Sequence, residues 1–434
     1  MRQFFRRALL SLLVSSAMLA ACPAGGGGPA TEAPPAPLVL AHYMPWFRGP
    51  SNISQEALEE TYGYHWRDIN GVPWESTDGR ANVGHFQYPL TGPYHSSNPE
   101  LLDYQVSLFI IAGIDGVIFD WYGAYEANDF GENNDYTIAM ANKLMAAGLK
   151  FCVMYEDNTM NMMQMQTNRT EAFRRGRVSF DWLEGDWFKQ PLYVKNGSAP
   201  LVFCFGPQYF SSNSDWNRLF EDLAVRPFFV DLDHKVGFAN SSFPWPPMGR
   251  RVPANDPQGV VPLSSIQQYM EGFLNVENSR NKNRTPYRIS SVFSAFHSPS
   301  YGKILYNDGE ALRYTWDAAI EYDPRIIQLV TWNDFGEGSC FEPSRERGYR
   351  DLEFVQEQVK AGWKPGLPWT AEDLRWPLEF YKLRYTMTAT DEQEAAIVAA
   401  TQALIDGDAE LFREKAAETG ATVDVNDLKP LERL

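Results

Sequence analysis

The sequence predicts a (β/α)8 barrel of the TIM type, with enlarged loops and a short helical C-terminal extension. Three observations predict it. Short apolar runs alternate with segments of helical periodicity along most of the 434 residues, the pattern of βαβ units around a parallel sheet. The runs number about seven, with an eighth expected near Val260–Leu263, which suits a barrel better than an open doubly wound sheet. Most runs also end in carboxylates, histidines or aromatic side chains, and the carboxyl ends of barrel strands are where reactive groups collect.

The first residues form an export signal. Arg2, Arg6 and Arg7 precede an apolar stretch, Ala8 to Ala21, that is too short to span a bilayer. Leu19-Ala20-Ala21-Cys22 then reads as a lipoprotein cleavage box. The expectation is a signal peptide over 1–21, lipidation at Cys22 and a flexible Gly/Pro-rich tether over 22–37. That describes an exported bacterial lipoprotein of the cell envelope, touching the membrane only through its anchor. Cleavage removes three arginines and no acid, taking the formal charge from −17 to −20.

The barrel is expected over 38–385. Leu38–Ala41 opens it and runs into His-Tyr-Met-Pro-Trp-Phe. Asn98-Pro99-Glu100 is a helix start, a cap followed by Pro in the first turn, and Gly113 closes that helix. Gly116–Trp121 is the next strand. A second helix presents Ile138, Ala141, Leu144 and Met145 on one face, Gly148 ends it, and Phe151–Tyr155 follows as a strand. Leu201–Phe205, Phe228–Leu232, Arg288–Ser294 and Ile326–Trp332 complete the strands. Helices are expected near Asp215–Leu223, Ser265–Phe273, Glu310–Ile320 and Leu352–Ala361. The extension, 386–434, holds a capping box at Thr390–Gln393 and a second short helix from Asp408 to Thr419.

The charge argues against nucleic acid, which is bound mainly through Lys and Arg. No GxGxxG or phosphate-loop pattern follows a strand, no Gly-x-Ser-x-Gly elbow occurs, and no Cys/His spacing suits zinc. Cys152 and Cys204 sit in apolar runs as buried thiols. No cofactor or metal is called for. Oligomeric state is not legible.

Candidate site residues follow from the strand ends. The first strand offers His42, Tyr43 and Trp46, with His65 and Trp66 in the long polar stretch after it. The second offers Asp120, Trp121 and Tyr122, and the third Tyr155, Glu156 and Asp157. Asp231 and Asp233 close the fifth and His297 the seventh. The last strand runs into Trp332-Asn333-Asp334-Phe335-Gly336-Glu337-Gly338, two carboxylates on a tight, glycine-bracketed turn. Such a pair can divide the work of glycoside hydrolysis, one protonated acid and one ionised base or nucleophile. The plain alternative is a loop in which Asp334 caps amides and Glu337 is solvated. Oxygen ligands for a hard cation are a third reading.

The segments AHYMPWF, GPYHSSNP, AGIDGVIFDWYG, MYEDNT and TWNDFGEGSCFEP, in this order, resemble bacterial proteins of the glycoside hydrolase family 71/99-like group. The resemblance spans Leu38 to Trp363 and leaves out the tether and the tail. It implies a carboxylate pair on the loop after the last strand, acting on α-linked glycans or polysaccharides. In the endo-α-mannosidase family the first carboxylate deprotonates the sugar's own 2-hydroxyl and the second is general acid, then base, with net retention. The α-1,3-glucanase family carries W-N-D-Y-G-E and inverts. Asp334 is similar to the glucanase pattern, whereas Gly336-Glu337-Gly338 and Glu342-Pro343 are similar to the mannosidase one. The roles implied are Glu337 as acid and Asp334 as base or activator. His42, Tyr43, Trp46, His65, Trp66, Asp120, Trp121, Tyr122, Tyr155, Glu156, His297, Trp332 and Asn333 are the expected sugar-binding residues. Stereochemistry stays open, because Asp is one methylene shorter than Glu. The rival function is a non-catalytic carbohydrate-binding lipoprotein on the same barrel.

Overall fold

The computed structural model describes residues 36–49, 63–66, 87–162, 168–247, 260–280, 287–298, 303–305, 309–386 and 388–423. The expected signal peptide, Cys22, nearly all of the tether and the last residues of the extension lie outside the described residues.

Eight strands form the barrel: β1 Leu38–Tyr43, β2 Gly116–Trp121, β3 Lys150–Tyr155, β4 Ala199–Cys204, β5 Phe228–Leu232, β6 Ser241–Phe243, β7 Ile289–Phe293 and β8 Ile326–Val330. All pair in parallel, in the order β6-β5-β4-β3-β2-β1-β8-β7. The two ends of this path approach each other, and the Ser241 hydroxyl donates to the Tyr287 carbonyl across the seam at 2.7 Å. The sheet is therefore a nearly closed barrel. Its strands are almost wholly buried, as parallel strands covered by helices must be.

One strand differs from expectation. Val260–Leu263 is not a barrel strand, and Leu263 begins a helix instead. The missing strand is β6, whose Ser241-Ser242-Phe243 is too short and too polar to register as an apolar run. It holds its place by pairing with β5 and by the buried Asp231, which accepts from the Ser242 hydroxyl and from the Val236 amide at 2.7 Å. No helix separates β5 from β6, so this unit departs from strict βα alternation.

The enclosing helices are α1 Pro99–Ala112, α2 Phe130–Ala146, α3 Arg169–Gly185, α4 Asn213–Phe220, α5 Leu263–Arg280, α6 Glu310–Glu321 and α7 Arg350–Gly362. Asn98 caps α1, its side chain accepting from the Leu101 amide at 2.7 Å, as the Asn-Pro-Glu start predicts. After them come α8 Trp376–Tyr385, α9 Asp391–Asp406 and α10 Ala409–Glu418. Thr390 and Gln393 form the expected capping box. The last two helices pack on the barrel's outer layer: Phe412 meets Trp369 with ring centroids 5.3 Å apart, and Arg413 pairs with Asp373 at 2.6 Å.

Much of the aromatic richness is spent in this outer layer. Trp66, Trp121, Trp216, Trp316, Trp332 and Trp369 are all fully buried. Aromatics of this size each remove roughly 150–250 Å² from water, so burial accounts for them without a ligand. Cys152, Cys204 and Cys340 are buried free thiols.

Candidate active site

The loop after β8 is built before it is functional. Thr331 starts it: its amide donates to Ser339 O at 2.7 Å, and its hydroxyl accepts the Asp334 amide at 2.9 Å. Asp334 Oδ1 then accepts the Glu337 amide at 2.9 Å. Gly338 has φ +60°, and a Cβ there would meet His297 O at 2.7 Å, so both its backbone angle and the close approach call for glycine. His297 in turn donates its amide to Glu337 O at 2.9 Å. Asp334 and Glu337 thus project from one rigid turn.

Four carboxyl groups meet at the mouth of the barrel. Burial pushes the Glu337 carboxyl well above the usual range, and repulsion from Asp334, Asp120 and Glu156 adds to it. Asp120, on β2, is raised by burial and then by Asp334. Glu156, just past β3, is raised by burial, Asp120 and Asp157, against a downward pull from Lys235. Asp334 rises less, to about 6, because amides of Glu337 and Gly336 stabilise its charge against burial. The Tyr122 hydroxyl sits among Asp120, Glu156, Asp129 and Asp334, and burial together with these charges keeps it protonated.

His42 lies on the same wall, with Nε2 3.9 Å from Asp120 Oδ2. Burial lowers its pKa to about 3, so the ring is neutral at any working pH. Among the described residues neither ring nitrogen has a hydrogen-bond partner, and Asp120 Oδ1 has none either. Buried polar atoms without partners are costly unless a ligand or water supplies them. At the rim, Trp46 stacks on His65 with centroids 4.5 Å apart and meets Tyr122 at 5.9 Å. His65 Nε2 is 3.4 Å from Asp129. His297 is half-buried beside the Asp334–Glu337 turn, and burial lowers its pKa.

Several expected sugar-binding residues face the other way, and for the three at strand ends, Tyr43, Trp121 and Tyr155, this follows from period-two alternation. Tyr43 points outward, its hydroxyl donating to Gln105 on α1 at 2.8 Å. Trp121 donates to Asn134 on α2 and stacks on Trp182 of α3. Tyr155 lies against Phe180 and Trp216 of α3 and α4. Trp332 meets Phe109 of α1 at 4.5 Å, and Trp66 is packed between Phe47 and Phe335. These five belong to the packing layer rather than the pocket.

Asn333 is also a correction. It is fully buried and clamps the β1 loop, donating to Met44 O and Tyr94 Oη at 3.0 Å each and accepting the Met44 amide at 2.8 Å. Replacing Asn333 with Ala strands both backbone groups of Met44, so it is expected to cost about 2–4 kcal/mol in urea denaturation. A change within 0.5 kcal/mol would show that the clamp contributes little. Asp157 is a loop anchor of the same kind, accepting the amides of Gln208, Tyr209 and Phe210.

Sequence reasoning missed Trp245 and Glu342. Trp245 meets the His42 ring edge-on at 4.9 Å, but it follows a strand that gave no signal. Glu342 is buried just past the Asp334–Glu337 turn with a pKa raised by burial to about 8, and it accepts from Tyr94 and Gln105. Only its place in the Glu-Pro pair hinted at it.

No family model matches the sequence, and no curated protein matches it. Solved structures do. The chain is similar to the GH99 endo-α-mannosidase from Bacteroides thetaiotaomicron in complex with bis-tris propane, at 15% identity and TM-score 0.54, covering 75% of this chain and 96% of that one. A second structure of that endo-α-mannosidase gives 16%, 0.52, 75% and 98%. A glycoside hydrolase-like protein gives 13%, 0.53, 77% and 97%. At these identities the likeness establishes the (β/α)8 barrel fold.

Proposed function

We propose that this protein is an exported, lipid-anchored glycoside hydrolase that cleaves α-linked glycans or polysaccharides internally. Glu337 is the general acid, and Asp334 is the base or the activator of a hydroxyl or water. The reading rests most on the pairing of these two groups. One turn holds both, yet Glu337 is surrounded by three acids while Asp334 is stabilised by two amides. Near neutral pH this favours a protonated Glu337 beside an ionised Asp334, the division of labour that glycoside cleavage requires. His42, Asp120, Tyr122 and Glu156 surround the sugar at the cleaved bond, and Trp46 with His65 forms a stacked platform at the rim. The α-linkage is supported by the sequence resemblance and by the endo-α-mannosidase neighbours.

The test is a panel of α-mannans and α-glucans, with reducing ends measured and the anomer of the first product read by NMR. Release of new reducing ends from at least one polymer is expected. Tight binding without release from any polymer sinks the hydrolase and favours a binding lipoprotein.

A pH dependence follows. Asp334 must be ionised, so kcat/KM is expected to fall about tenfold per pH unit below its pKa of about 6. A profile flat down to pH 4.5 would remove Asp334 from that role. Trp46→Ala is expected to raise KM about tenfold, the value of a lost aromatic contact, with a smaller change in kcat.

A further inference from the structure

Beside the carboxylate cluster, at the ends of β5 and β6, lies a second cavity of about 410 Å³. The volume is that of a small-molecule site. Trp245 forms the wall nearest the barrel axis. Its indole touches the His42 ring edge-on at 4.9 Å and Phe205 at 4.9 Å, while it also lines the cavity. One ring therefore separates the cavity from His42, the residue next to Asp120. Lys235, two positions beyond the rim residue Asp233, is close enough to Glu156 to pull its carboxyl down.

The chemistry of the walls is specific. His234 stacks on Phe273 with centroids 4.4 Å apart and planes 19° from parallel, and both rings line the cavity together with the Trp245 indole. The Tyr269 hydroxyl donates to Asp233 and accepts the Trp245 amide at 2.7 Å, fixing carboxylate and indole together. Asp233 and His234 both have left-handed backbones, φ 52° and 56°, a state that residues with a Cβ keep only when their surroundings hold it. The third wall is α5, and Gly272 in its interior lines the cavity. A Cβ at Gly272 would meet nothing within 4 Å. Packing therefore does not require glycine there, and glycine is disfavoured mid-helix. An open cavity is the gain that remains.

We propose that this cavity is a sugar subsite, holding a unit of the same glycan chain removed from the cleaved bond. Flat rings take the C–H face of a pyranose, and the Asp233 carboxylate takes its hydroxyls. The inference rests on the carbohydrate reading above and adds where the chain runs, past Trp245 and across α5. It makes the site long, so affinity depends on chain length.

The experiment uses calorimetry on Gly272→Trp, which fills the cavity from α5, and on Val276→Trp, which fills it from an exposed position on the same helix. The probes are α-linked gluco- and manno-oligosaccharides of two and of five units. Filling the cavity is expected to weaken pentasaccharide binding about tenfold relative to disaccharide, the worth of one aromatic contact. Equal effects on both lengths, no effect on either, or no binding of any probe by the unsubstituted protein overturns the subsite. Failure of the hydrolase reading looks different: no reducing ends form, yet the length-dependent loss persists. Two variants guard against a single folding failure, and a thermal melt confirms that each is folded.

Discussion

Glu337→Gln is expected to lower kcat by about 10²–10⁴-fold, the contribution of a positioned general acid, while the fold and oligosaccharide binding survive. Gln matches Glu in shape and cannot give up a proton to the leaving oxygen. The backbone does not depend on the Glu337 carboxyl: the turn is held by Thr331, Asp334 Oδ1 and the His297 amide. A substrate whose leaving group is already acidic, such as a dinitrophenyl glycoside, needs little protonation. The loss should therefore shrink on that substrate and be largest on natural glycan. The basic limb of the pH profile should also disappear, since the group that loses its proton there is gone. Near-wild-type rates on a polysaccharide would remove Glu337 from catalysis. An equal loss on both substrates would assign it to something other than proton donation.

The order of strands and helices was legible because it rests on local signals: Asn98-Pro99 starting α1, Gly113 ending it, Thr390–Gln393 boxing α9. Ser241–Phe243 escaped because three residues with two serines carry no hydrophobic signal, and what holds that strand is the partner strand and Asp231. The two-carboxylate turn after β8 was legible from composition, since two acids flanking Gly336 directly after a strand are conspicuous. The facing of individual side chains was not. His42 and Tyr43 are adjacent, as are Asp120 and Trp121. Alternation sends one of each pair to the pocket and the other to the helices, and a slip of one residue exchanges them. Polar residues at a strand end could therefore be named as a group while half of the rings among them were packing. Long-range neighbours were invisible altogether. Nothing near Trp245 in sequence announces that it meets His42.

Asp334→Asn is expected to be inactive and more stable. Burial raises its carboxyl from an ordinary value of 3.8 to about 6 in the folded protein, so between those values the folded protein holds more protons than the unfolded chain. The sign follows from linkage: stability falls as pH rises through that window, and the cost is complete above about pH 6. Two pH units correspond to about 3 kcal/mol. Asn cannot ionise, and its Oδ1 can still accept the Glu337 amide, so the variant escapes the cost without losing the turn. Urea denaturation at pH 4 and pH 7.5 measures it: relative to wild type, Asp334→Asn should gain about 2–2.5 kcal/mol between the two, because part of the cost is already present at pH 4. The same substitution removes the ionised partner of the acid, and kcat/KM should drop about a thousandfold or more. The two readouts constrain each other. Stability gained with activity kept would mean that Asp334 is a buried charge with no part in turnover. Activity lost with no pH-dependent gain would mean that burial does not penalise its charge. Loss and gain together are what a carboxylate held ionised for catalysis, at the expense of the fold, must produce.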